Sequence, residues 1–312
     1  MRQLGYFTHA DCRKHEMGSD HPECPQRLDA IEDQLLTSGV GDWLARLDAP
    51  AASQAQVERA HSPGYWQAMV QANAHAQRTG HTGLDPDTSM NADSWSAALH
   101  AAGAAVAAVD SVLQGQSHHA FCAVRPPGHH ATREQAMGFC LINNAAVGAL
   151  HALDCGAQRV AIVDFDVHHG NGTEDIVAGD QRVLMLGFYQ HPFYPEGGAR
   201  SDAPNLLNIP VPAYTKGDAI KALIEAQWWP RLQAFDPDLI VVSAGFDAHR
   251  EDDLGQMGLI EADYAWITRA LVRETRAGRA GHIVSCLEGG YNLSALARSA
   301  VAHIKELAGL TA

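Results

Sequence analysis

The stretch VAIVDFDVHHGNGT, residues 160–173, decides how the rest of the chain is read. Its first half is a continuous apolar run, which suits a strand covered on both faces, as in a parallel sheet. Its second half gathers carboxylates, imidazoles and glycines where that strand runs out. Four more runs have the same unbroken character: FCAV at 121–124, VLMLGF at 183–188, LIVVSAGF at 239–246 and HIVSCLE at 282–288. Amphipathic or alanine-rich segments separate them, and helices are expected over 95–113, 143–153, 217–235, 261–277 and 293–307. Asn292 and Ser294 are N-cap candidates for the last of these. Strand and helix in alternation predict an α/β fold, an open parallel sheet with helices on both faces.

Outward from this frame, no repeat, low-complexity segment or flexible linker divides the 312 residues, and one domain over 1–312 is expected. Lys and Arg number 22 against 36 Asp and Glu, so the formal charge is 22 − 36 = −14. Such an acidic chain gains nothing from a phosphate backbone, which argues against nucleic acid as a ligand. A cationic partner is compatible with it. The six cysteines form no C-x-x-C pair, and the N-terminus lacks the apolar core of a signal peptide. No stretch reads as a run of about 18 apolar residues, so a reduced, cytoplasmic setting with no membrane partner is expected.

Ligands of an open α/β sheet bind beyond the carboxyl ends of its strands. Polar clusters stand at that end of four runs: RPPGHH from 125, DVHHGNG from 166, DAHRED from 247 and EGGYN from 288. Residues two apart in an extended strand point the same way, so Asp164, Asp166 and His168 share a face. Asp166 and His168 can then reach one metal ion, and Asp247 is the best placed third ligand. Two carboxylates and an imidazole leave room for water and substrate, as in catalytic zinc sites. Within His129-His130, one neutral imidazole can serve as general base and then acid while the other holds charge. Asp164 and Asn171 are candidates to orient them. Tyr291, after a Gly-Gly turn, can hydrogen-bond a developing oxyanion. The set describes metal-assisted amide hydrolysis.

These residues resemble the histone deacetylase superfamily, in particular its class II-like and bacterial members and the acetylpolyamine amidohydrolases. The likeness rests on six ordered motifs: HPECPQRL at 21–28, RPPGHHA at 125–131, GFCLINNAA at 138–146, DFDVHHGNGT at 164–173, SAGFDAH at 243–249 and EGGYN at 288–292. It implies the arginase/deacetylase fold with an eight-stranded parallel sheet, and a single catalytic domain. It also implies Asp166, His168 and Asp247 as ligands of one Zn2+ (Fe2+ fits the same ligands), His130 as the general base and acid, and Tyr291 as the carbonyl-polarising phenol. Asp164 would support His129, and Asn171 would support His130. Phe139 and Tyr194 would wall a substrate tunnel, with Gly138 at its floor, Leu254 at its rim and Asp87 gripping the substrate backbone. Arg27 would line an internal channel. Two departures stand out. Gly187 replaces a small hydroxyl residue beside a monovalent-cation (K+) site, and PEGGAR at 195–200 replaces the common Pro-Gly-Thr-Gly.

Three alternatives are weighed. A two-metal, arginase-like site would favour D-x-H-x-D, but Gly170 takes the last position. A metal- or acetyl-binding protein without catalysis would tolerate loss of Tyr291 or a ligand, and none is lost. For the substrate, Leu254 favours acetyl-lysine in peptides or proteins, whereas Glu251, Asp252 and Asp253 keep acetylated polyamines in view. Assembly of the chain with copies of itself is left open.

Overall fold

The computed structural model describes residues 3–196, 202–278 and 281–311. In chain order the strands are β1 (Leu4–Thr8), β2 (Leu44–Asp48), β3 (His81–Asp85), β4 (Thr88–Asn91), β5 (Ala120–Cys122), β6 (Val160–Asp164), β7 (Val183–Gln190), β8 (Leu206–Val211), β9 (Leu239–Ala244) and β10 (Ile283–Leu287). The helices are α1 (Gln26–Thr37), α2 (Gln54–Val57), α3 (Pro63–Thr79), α4 (Ser94–Leu113), α5 (Asn144–Asp154), α6 (Asn171–Val177), α7 (Gly217–Leu223), α8 (Trp229–Phe235), α9 (Glu261–Ala277) and α10 (Leu293–Leu307).

Eight strands form one sheet in the order β2-β1-β5-β10-β9-β6-β7-β8, with every neighbouring pair parallel. The five apolar runs predicted β5, β6, β7, β9 and β10 of this parallel sheet; β1, β2 and β8, which those runs did not include, complete the eight. Every residue of β5, β6, β9 and β10 is buried, as strands covered on both faces require. These four strands are neighbours, so their carboxyl ends open onto one crevice. All four polar clusters follow those ends.

The sequence reading needs correction in several places. The run at 121–124 pairs only over Ala120–Cys122. The single helix expected over 217–235 is interrupted by a wider π turn at Ile224–Trp228. Pro230 has no N–H to donate back to Ala226, and its ring crowds that carbonyl, so the ladder widens there. The edge strands β2 and β8 escape an apolar-run criterion because most of their residues are not buried. Pro210 lies in β8 without harm, since an edge strand can lose an N–H. Within the irregular stretch 78–93 an antiparallel hairpin, β3–β4, carries Asp87 in its turn. Finally, α4 is long and apolar enough to cross a membrane by length and composition, which the sequence reading missed. Its most apolar window is 67% buried inside the protein, the pattern of a core helix.

Candidate functional site

The ligand candidates converge. Asp166 and Asp247 are fully buried, and 11% of the His168 side chain is exposed. His168 Nδ1 lies 3.0 Å from Asp166 Oδ1 and 3.2 Å from Asp247 Oδ2. Donors placed tetrahedrally about a zinc ion sit about 3.3 Å apart, so the spacing fits. The chain reaches this arrangement by turns rather than by continued strand, because β6 ends at Asp164. Asp164 Oδ1 accepts the Asp166 N–H at 3.1 Å, and Asp166 Oδ1 accepts the His168 N–H at 2.9 Å. Each side chain thus folds the backbone two residues on. Gly289 lets the next strand end come close: a Cβ there would stand 1.9 Å from Asp247 Oδ2.

A metal is tested by what the donors lack. Asp166 Oδ2 accepts from Gly289 N at 2.9 Å, and Asp247 Oδ1 accepts from Val167 N at 2.9 Å. Asp247 Oδ2 is buried with His168 Nδ1, already engaged with Asp166 Oδ1, as its one polar neighbour at 3.2 Å, so no donor is left to it. A bare carboxylate oxygen costs several kcal/mol unless a cation or proton meets it. Burial and the adjacent Asp166 push the Asp247 carboxyl up to about 7. Two other groupings of possible ligands are already satisfied by protein. In one, Asp11 bonds Lys14 and Ser96, and His9 Nδ1 accepts the Asp11 N–H. In the other, the Arg59 guanidinium donates to His151 Nδ1, so Nε2 carries the proton given to Asp110 and offers no lone pair beside Cys155. Of the three groupings among the described residues, Asp166–His168–Asp247 is the one that fits an ion.

The histidine pair is placed by the loop after β5. His129 Nδ1 donates to Asp164 Oδ2 at 3.0 Å, and His130 Nδ1 donates to Asn171 Oδ1 at 2.7 Å. Asn171 Nδ2 meets Met137 Sδ at 3.4 Å, which orients the amide with its oxygen toward the ring. Burial disfavours charge on His129, yet the Asp166 and Asp164 carboxylates raise its pKa well above the usual imidazole range. On His130 burial acts alongside the neighbouring His129 and His168, and its pKa falls well below that range. Glu288 steadies the same loop, its Oε2 accepting from Gly128 N at 2.6 Å and His129 N at 3.1 Å. Sequence reading quoted Glu288 without giving it this task.

Above the ligands lies a cavity of about 190 Å³. Its wall contains His130, His168 and Tyr291, together with all five expected substrate contacts: Asp87, Gly138, Phe139, Tyr194 and Leu254. Phe193, which sequence reading did not single out, completes it and stacks on His168 with centroids 5.4 Å apart. Gly138 (φ 56°) and Phe139 (φ 68°) both take left-handed conformations, unusual for a phenylalanine. Two side chains hold them: Asp87 Oδ1 accepts the Gly138 N–H at 3.2 Å, and Thr88 Oγ1 accepts the Phe139 N–H at 2.9 Å. Phe139 meets the Tyr291 ring edge-on at 5.8 Å. Burial, with the carboxylates of Asp247 and Asp166, raises the Tyr291 hydroxyl well above 10 despite Arg27, so it keeps its proton. Arg27 lies 5.0 Å over the Tyr291 ring and bonds the carbonyls of Glu288 and Gly290. Beside β6, a Cβ on Gly187 would stand 2.7 Å from Asn208 Oδ1, so a carboxamide oxygen fills the space left by the missing hydroxyl residue. Of the altered loop at 195–200, residues 197–200 lie outside the described residues.

Comparison with known proteins agrees with this geometry. Residues 21–307 match the histone deacetylase domain. The chain belongs to the histone deacetylase family. It is 39% identical over 305 residues to the uncharacterized protein slr0245 of Synechocystis, covering 96% of this chain and 97% of that protein. It is 37% identical to the polyamine deacetylase HDAC10 of Mus musculus, covering 92% of this chain and 45% of that longer protein. The crystal structure of the HDA15 HD domain superposes with a TM-score of 0.90 at 34% identity, covering 99% of this chain and 89% of that one. The eight-stranded sheet is therefore the arginase/deacetylase fold, and the chain is a hydrolase of the deacetylase family.

Proposed function

We propose that this family member is a zinc-dependent deacetylase that hydrolyses the N-acetyl amide of acetyl-lysine side chains in peptides or proteins. The observation carrying the proposal is Asp247 Oδ2, buried with no donor left to it, beneath a cavity walled by His130 and Tyr291. Asp166, His168 and Asp247 would hold the ion, which when bound supplies Lewis-acid polarisation of a carbonyl and lowers the pKa of water. His130 is neutral and its Nδ1–H is engaged by Asn171, so Nε2 carries the lone pair that takes a proton from the attacking water. The same Nε2–H then protonates the departing amine. His129, its Nδ1–H held by Asp164 Oδ2, is fixed beside His130 and orients its other nitrogen toward the site where the oxyanion forms. The Tyr291 hydroxyl donates to that oxyanion. Phe139 and Tyr194 pack the aliphatic stem and exclude water, and Asp87 accepts from the substrate backbone at the rim. A cytoplasmic setting is proposed on the same footing, since all six cysteines are free thiols. For a monovalent cation such as K+ beside the centre, Asn208 Oδ1 is the oxygen that would replace the missing hydroxyl.

Acetylated polyamines are the second reading. Asp253 is exposed next to the rim residue Leu254 and could attract a slim cation. Its two acidic neighbours are engaged elsewhere: Glu251 pairs with Arg298 at 2.8 Å, and Asp252 is turned onto backbone amides. That distribution favours the peptide substrate. Acetate release from acetyl-lysine peptides, compared with acetylated putrescine, cadaverine and spermidine, with and without chelator, tests both. Preference for the polyamines would overturn the first reading, and chelator-resistant turnover would overturn the metal.

A further inference from the structure

Asp252 is 5% exposed and is not part of the cavity wall. Its carboxylate faces three backbone amides. Oδ2 accepts the Tyr291 N–H at 2.6 Å and the Asn292 N–H at 2.9 Å, and Oδ1 accepts the Leu254 N–H at 3.0 Å. One side chain therefore ties the loop that presents the phenol to the loop that forms the tunnel rim.

The phenol loop needs such a tie. It leaves β10 through Glu288, Gly289 and Gly290, and Gly290 has φ 116°, a conformation open to glycine and costly for other residues. Two adjacent glycines give the segment many alternative paths. Arg27 fixes its carbonyl side, at Glu288 O and Gly290 O. Asp252 fixes its amide side, at Tyr291 and Asn292. Hydrogen bonds from amides to a carboxylate are about twice as strong as neutral ones. Asn292 also caps α10 by accepting from Ala295 N at 3.0 Å, so the clamp lies where the flexible turn joins a rigid helix.

We propose that Asp252 is a positioning residue for catalysis: it holds Tyr291 where its hydroxyl meets the oxyanion and makes that position common with the Leu254 rim. The proposal rests on Tyr291 acting as the oxyanion donor. Asp252→Asn is the informative variant. An asparagine keeps one acceptor oxygen and turns an NH2 toward the remaining amides, so it cannot satisfy both loops.

The test is a double-mutant cycle on the metal-loaded protein, with kcat, KM and metal content measured for Asp252→Asn, Tyr291→Phe and the pair. We expect Asp252→Asn to lower kcat by about 100-fold, the usual loss for one oxyanion donor, with metal retained. The pair should turn over no more slowly than Tyr291→Phe alone, because a positioning residue has nothing left to position. Asp252→Glu, which keeps both acceptors on a longer stem, should recover at least about tenfold over Asp252→Asn. Losses that multiply in the pair would mean a general structural role and overturn the proposal, as would normal kcat in Asp252→Asn. If Asp252→Asn does not fold, Asp252→Ser, which keeps a single acceptor oxygen on a shorter stem, takes its place in the same cycle with the same two outcomes. Near-normal turnover by Tyr291→Phe alone is a separate result, which removes the phenol's role first and the proposal with it.

Discussion

The imidazoles of His129 and His130 lie with ring centroids 4.1 Å apart, and their surroundings drive them toward opposite protonation states. The difference is set behind each ring, by a carboxylate at Asp164 and a carboxamide at Asn171. Replacing the carboxamide should shift the balance. In Asn171→Asp a negative charge beside His130 Nδ1 stabilises the imidazolium, raising its pKa by about 1–3 units. The base works when neutral, so activity is lost as pH falls through that pKa. The acid limb of kcat/KM against pH should therefore move upward in the variant. A profile that stays in place would remove His130 from the proton transfer.

Tyr291→Phe deletes one hydroxyl from the cavity wall and leaves the ligand set intact. Turnover should fall by about 100-fold or more, while bound metal, counted by emission spectroscopy, stays at the wild-type stoichiometry. Loss of both together would place Tyr291 in metal retention instead.

Asp247→Asn tests the centre itself. A bound ion stabilises the native state by mass action, so a chelator should lower the Tm of the wild type. In Asp247→Asn the metal content should drop, and the chelator should then leave the Tm unchanged. A chelator-sensitive Tm in the variant would mean that another site holds the ion.

The rim offers a prediction about selectivity. Leu254→Glu sets a carboxylate where the tunnel meets solvent, beside the exposed Asp253. The ratio of kcat/KM for N-acetylspermidine over an acetyl-lysine peptide should rise by up to about fivefold, the ~1 kcal/mol that an exposed pair can supply. An unchanged ratio would show that selectivity is set deeper in the tunnel.

Much of this was legible in the chain because long apolar runs mark buried parallel strands, although the buried β1, whose LGYFT is short and carries Gly5 and Thr8, gives no such run. The runs of β5, β6, β9 and β10 located the crevice, and the polar clusters after them supplied the candidate ligands, both candidate histidines and Tyr291. Elements on the periphery were less visible: β2 and β8 are edge strands with mixed burial, and the β3–β4 hairpin lies in a polar stretch read as loop. Residues acting through the backbone were the least visible. Asp252 and Glu288 bind amides, and nothing in a single sequence says which amide a carboxylate will meet. Phe193 sits beside a residue that was singled out, and only the path of the loop turns both rings inward.

His61 gives the last prediction, far from the ligands yet under the catalytic loop. Its Nδ1–H donates to Thr132 O at 2.8 Å, and its Nε2 accepts the Asn143 N–H at 2.9 Å. Asn143 in turn bonds Ala131 O, one residue past the histidine pair. Burial resists charge on the ring and the nearby Arg133 repels it, so the pKa drops to about 4 even though the Thr132 carbonyl favours the proton. A histidine depressed in the folded state stabilises fully above its unfolded pKa of about 6.5, and this contribution is lost as pH falls from there toward 4. At pH 5 about 1.5 units of that window have been crossed, worth about 2 kcal/mol. The stability gap between wild type and His61→Gln, measured by urea unfolding, should therefore shrink by about 2 kcal/mol between pH 7 and pH 5. Glutamine does not titrate, so the comparison isolates this one proton. A gap of equal size at the two pH values would show that His61 takes up its proton as readily in the folded protein as in the unfolded chain.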